Sequence, residues 1–156
     1  MTNEHTEILN DVFCDVTEKL AFMFGEPSEK DELPPVDTEC IEARMTFAGP
    51  MTGSLTMAVP VEMCPIIAAN VLGMEPDDES VQARATDALT ELLNVICGNI
   101  LTAIAGEQPV FDLTVPTAHA LSAEDWAKLL EDPDTLAFVL EDLPALLQLK
   151  LESLPT

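Results

Sequence analysis

Basic residues are scarce in this chain: 6 Lys and Arg stand against 29 Asp and Glu in 156 residues, a formal charge of -23 at pH 7. Nucleic acids and anionic membrane surfaces are bound through basic patches, so both are disfavoured as partners. Histidine is nearly absent. His5 and His119 are the only two, and neither has a neighbour at ligand spacing. That argues against a metal or other cofactor held by this chain, and against a Ser-His-Asp triad. The four cysteines, Cys14, Cys40, Cys64 and Cys97, form no CxxC pair. They read as reduced thiols of a cytoplasmic protein. No stretch approaches ~18 consecutive apolar residues, so no membrane insertion is expected. The opening MTNEHTEILNDVF is acidic and polar where a secretory signal begins positive and turns apolar. The acids at Asp77, Asp78 and Glu79, and at Glu131, Asp132 and Asp134, lack the alternation and glycine of an EF-hand. They read as solvated loops.

What the chain does have is apolar material. Hydrophobic residues make up 47% of it and mean hydropathy is +0.20, which excludes an acidic disordered tail. The length suits one domain, or two small halves sharing a core. Ile8, Val12, Val16, Leu20 and Met23 form a one-face stripe that predicts a helix over 7–25, stopped by Gly25 and Pro27. Residues 26–38 read as a proline-rich loop. A strand over 39–49, a turn at GPMTG and a strand over 54–59 make a hairpin ending at Pro60. A helix over 61–72 carries Pro65 in its first turn and closes at Gly73. The acidic segment 74–80, with Ser80 or an adjacent acidic residue as a cap, leads into a long helix over 81–104. Next come a strand within 109–116, a short helix over 122–131 capped by Ser122 and Asp125, and a closing hairpin of 135–141 and 145–152. Leu147, Leu149 and Leu151 alternate with polar residues, so one face of that last strand reads as wet. The repeated switch of period from 3.6 to 2 indicates α+β, with a mainly antiparallel sheet packed against long helices. Trp126 reads as packing the short helix onto the sheet, Met45, Met51 and Met57 as core or turn, and His119 as a loop residue.

The long helix has two unlike sides. Stepping 100° per residue from Glu91, residues Ala85, Leu89, Leu92, Ile96, Ile100 and Ala103 fall between about 100° and 180°. Asp87, Glu91, Asn94, Gly98 and Thr102 fall between about -60° and +20°. Gly98 inside a helix costs roughly 0.5–1 kcal/mol relative to Ala. It is useful where another backbone must come close, and the stripe then reads as a docking surface. A solvent-facing stripe with a tolerated glycine accounts for the same residues.

Asp87-x3-Glu91-x2-Asn94-x3-Gly98-Asn99 resembles the signature of the CheC/CheX/FliY chemotaxis phosphatases. The surroundings resemble CheX: one such helix, preceded by GSLTMAVP and a short helix ending at Leu72-Gly73, followed by a strand ending in VPT. The likeness spans 8–117 and, more loosely, the closing hairpin. It implies one CheX-like domain over 1–156, acting on the aspartyl phosphate of a phosphorylated CheY-like response regulator whose own Mg²⁺ serves the reaction. Glu91 and Asn94 fall on the family's functional acid and amide. Asn94 would orient the water and Glu91 would pair with the regulator's active-site lysine. Asp87, Gly98 and Thr102 would serve docking. The likeness also implies a homodimer. Glu18-x2-Ala21-x3-Gly25 echoes the motif without its amide, as a degenerate internal duplication would. A binding module that engages a regulator without turnover is the rival reading.

Overall fold

The computed structural model describes residues 3–36, 39–73, 75, 79, 84–108 and 110–152. The expected hairpin is present as β2 (Cys40–Ala48) and β3 (Thr52–Pro60), paired antiparallel with Ala43 opposite Met57. The closing hairpin is β6 (Thr135–Leu140) and β7 (Leu143–Glu152), and β7 lies antiparallel against β3. Gly53 is required where they meet, because a Cβ there would collide with the Lys150 carbonyl oxygen. These strands belong to one antiparallel sheet with β1 (Gly25–Ser28), β4 (Asp112–Leu113) and β5 (Thr117–Leu121), in the order β1-β6-β7-β3-β2-β4, with β5 also on β2.

Alternation divides the sheet into two faces. Ala43, Met45, Met57, Leu147, Leu149 and Phe138 point to one side and join the main core. Three helices supply the rest of that core: α1 (Asn3–Ala21), α2 (Met63–Leu72) and α3 (Ala85–Ala105). Cys40, Ala58, Ala137 and Leu146 point to the other side. There α4 (Ala123–Glu131) lays Trp126, 8% exposed, over them, as its apolar bulk suggests. The last strand therefore has no uniformly wet face: Leu146 is buried under Trp126, whereas Leu151 is 38% exposed. Ser122 caps α4 by accepting from the Asp125 backbone N–H at 3.1 Å. Gly73 closes α2 in a left-handed turn at φ 68°.

Several expectations need correction. The first helix ends at Ala21, because Phe22 takes a left-handed φ of 53° and the Met23 N–H turns back to the Thr17 carbonyl. Its buried face runs through Leu9, Phe13, Val16, Thr17 and Ala21, one series away from Ile8 and Val12. Phe13 decides this by stacking on Phe138 of β6 with ring centroids 4.1 Å apart. The loop after it contains β1 (Gly25–Ser28), which pairs with β6, and a short 3-10 turn at Lys30–Glu32. Gly25 thus opens a strand, and Ala21, where the echoed motif lacks its amide, is fully buried. The strand within 109–116 shrinks to β4 (Asp112–Leu113), and His119 lies in a strand, β5 (Thr117–Leu121), opposite Glu42. Ser80, Asp77, Asp78 and the helical start over 81–83 lie outside the described residues. Length and composition alone would let α3 cross a membrane, but its apolar side packs on α1, α2 and the sheet.

Candidate functional site

The α3 sequence sorts itself by period, and the fold follows that sorting closely. Leu89, Leu92, Ile96 and Ile100 are buried, joined by Leu93, Cys97 and Leu101. Ala103 is exposed, against expectation. After Leu101 only Ile104 still packs against the core, and it is partly buried, so Ala103 lies beside a turn that is peeling away. On the opposite side Asp87, Glu91 and Thr102 are exposed, while Asn94 and Gly98 are half-buried. A Cβ built on Gly98 meets nothing within 4 Å. No close approach within this fold accounts for a glycine there.

Glu91 and Asn94 stand one turn apart and share an open hollow of about 340 Å³ with Thr90. Its far wall is Leu113, Thr114, Val115 and Pro116, a segment held by β2. The Thr114 N–H donates to the Thr46 carbonyl at 3.0 Å, and the Thr46 N–H donates to Thr114 Oγ1 at 2.8 Å. A second hollow of about 320 Å³ joins Glu91 to Asp87, Arg84, Ala88, Val71 and Leu72. Glu91 is the residue common to both. Gly98 and Thr102 continue the stripe but border neither. Among the described residues, the Glu91 and Asn94 side chains make no hydrogen bond or ion pair, so both are available to a partner. The Asn99 side chain is engaged, donating to the Val95 carbonyl at 2.8 Å.

Sequence reasoning missed the Leu113–Pro116 wall and Arg84. The wall had one visible signal: residues 113–123 carry no charged side chain in a chain otherwise dense with acid.

Other chemistry is poorly supported elsewhere. A larger hollow of about 560 Å³ lies beside Trp126, lined by Leu33, Pro34, Val36 and Cys40. Burial pushes the Cys40, Cys64 and Cys97 thiols up to about 11, which leaves them neutral and poorly nucleophilic. Cys14 is also raised, by burial first and then by the nearby Asp11 and Glu26 charges. Among the described residues, no disulfide joins the four thiols. Among the described residues, no group of three or more His, Cys, Asp or Glu is placed to share a metal.

The architecture is an α+β domain, an antiparallel sheet packed against helices, with an exposed acid and a half-buried amide side by side at an open hollow on the longest helix. The model of the chemotaxis phosphatase CheX matches residues 41–132, and the chain belongs to that family. Solved structures share the fold. A chain of the CheX-CheY-BeF3-Mg²⁺ complex from Borrelia burgdorferi has a TM-score of 0.65 at 20% identity, covering 96% of this chain and 98% of that one. CheX from Desulfovibrio desulfuricans has a TM-score of 0.69 at 17% identity, covering 96% and 99%. CheX from Vibrio vulnificus gives 0.69 at 16%, covering 96% and 97%. No curated protein matches the chain.

Proposed function

We propose that this protein accelerates hydrolysis of the aspartyl phosphate of a CheY-like response regulator, with Asn94 and Glu91 as the residues responsible. The observation that carries the reading is their arrangement: adjacent turns of one helix, Glu91 exposed and Asn94 half-buried, both lining one open hollow. Family membership supports the reaction class. A complex containing CheX and CheY together, from a protein of the same fold, supports the kind of partner.

The chemistry asks little of this chain. An acyl phosphate is already reactive, and the regulator contributes its own Mg²⁺ and phosphoryl-binding groups. What is missing is a water held in line with the departing carboxylate. A carboxamide both accepts and donates hydrogen bonds, so Asn94 fixes that water without itself taking a charge. The water's oxygen bonds to phosphorus, the bond from phosphorus to the aspartyl oxygen breaks, and the regulator's carboxylate leaves with the electron pair. Glu91, on the same face, pairs with the regulator's active-site lysine and sets the register of docking. Asp87 supports the rim, Gly98 admits the partner's backbone, and Thr102 extends the contact.

We read the 156 residues as one domain with one site. Ala21 has no amide side chain and is buried, so α1 presents none at the position that echoes Asn94. The subunit is further proposed to act as a homodimer, and the sheet ends in β1 on one side and β4 with β5 on the other. The direct test follows decay of the phosphorylated regulator with and without the protein. Faster decay supports the phosphatase, whereas tight binding with unaltered decay selects a non-catalytic module.

A further inference from the structure

Val115 is 84% exposed and Val110 is 82% exposed, and Leu113 beside them is 41% exposed. Their exposure does not come from a loose segment. Leu113 pairs with Phe47, Phe111 packs edge-on against the Phe47 ring at 6.1 Å, and Thr114 is bonded to Thr46 from both directions. A firmly held backbone thus presents branched apolar side chains to solvent, although burial of each would be favourable. The placement is specific, since Leu113 and Val115 form the wall that faces Glu91 and Asn94 across their common hollow.

Charge points the same way. The surface of a -23 chain repels an acidic partner, yet residues 113–123 form an uncharged interval beside the candidate site. We infer that this rim, centred on Val115, is the second half of the docking surface. It receives the apolar margin around the phosphoaspartyl pocket of the same response regulator that α3 engages. The inference rests on the phosphatase reading above. In it, Asn94 acts on the reacting water, while the rim holds the regulator and contributes to affinity before and during the reaction. Val115 is accordingly a positioning residue, and its loss acts on KM.

The test uses the full chain and a CheY-like regulator phosphorylated with acetyl phosphate in Mg²⁺, with decay rates measured over a range of regulator concentrations. Val115→Asp places a carboxylate on the rim and is expected to raise KM about tenfold with kcat within about twofold. Val115→Ile is expected to match the wild type, and Val115→Ser to fall between. At 84% exposure these changes leave folding intact, which matching thermal melts check. An unchanged KM in Val115→Asp, or a loss confined to kcat, overturns the rim. Failure of the wild type to accelerate decay overturns the phosphatase reading instead. The rim is then judged by titrating the beryllofluoride-loaded regulator: unchanged affinity in Val115→Asp overturns it, and weakened affinity supports it.

Discussion

Gly98 marks the boundary between what one residue says by itself and what its surroundings add. Its cost to a helix is legible in the sequence, and the reason for bearing that cost is not. The fold removes one explanation, since a Cβ at that position meets open space. Gly98→Ala is therefore expected to stabilise the chain by roughly 0.5–1 kcal/mol, a rise of about 1–4 °C in Tm. The same substitution is expected to weaken dephosphorylation of the regulator. A higher Tm with unaltered activity would detach the glycine from docking. Glu91 and Asn94 are legible because helical period alone separates them from Leu89 and Leu92. Val115 is not, because nothing in VPT says that its neighbour Thr114 is pinned to Thr46 while Val115 itself faces outward.

At the scale of elements, legibility follows the strength of the local pattern. The β2–β3 and β6–β7 hairpins are apolar runs bounded by turn residues and can be read directly, as can the packing of α4 through Trp126. β1 contains glycine, glutamate and proline in four residues, so only its pairing with β6 makes it a strand. β5 reads TAHAL, which is weak alone and is ordered by β2. The α1 stripe is right only in part: Val16 and Met23 are buried, but Leu9 and Phe13 displace Ile8 and Val12 at its centre, because the deciding contact, Phe13 on Phe138, joins residues far apart in sequence. One clamp between elements leaves no local signal at all. Lys150 of β7 sits 2.8 Å from Asp132 and 2.9 Å from Asp134, which lead into β6. Hydrogen bonds from Lys150 hold both carboxyls below their usual 3.8, and the same bonds raise Lys150 above 10.5. Both aspartates therefore stabilise the fold at neutral pH and lose that contribution as pH falls below 3.8 through their folded values. Lys150 loses its share as pH rises beyond 10.5. For this partly exposed cluster Lys150→Ala is expected to cost about 0.5–1 kcal/mol at pH 7. Denaturant unfolding at pH 7 and pH 3 checks the sign: the gap between wild type and variant narrows in acid.

For the whole molecule, the charge of -23 is a constraint on the proposed assembly and is not the source of the proposed activity. Only Asp87 and Glu91 of the 29 acids lie on the docking stripe. In the proposed dimer two copies double the charge, so that contact works against repulsion that salt screens. Light scattering is expected to show a dimer whose dissociation constant falls as sodium chloride is raised from low to physiological concentration. A monomer throughout, or a dimer that salt dissociates, would contradict this. The interval 113–123 adds no acid of its own to the flank beside Glu91 and Asn94.

The central claim is that Asn94 orients the attacking water while Glu91 and the surrounding surface hold the regulator. Single-turnover decay of the phosphorylated regulator at saturating Asn94→Ala, beside a titration of its affinity, tests that claim most directly. The expected result is decay slowed to the regulator's own rate, a loss of about 10²-fold or more, with affinity within a few-fold of wild type. Undiminished hydrolysis by Asn94→Ala would contradict the account.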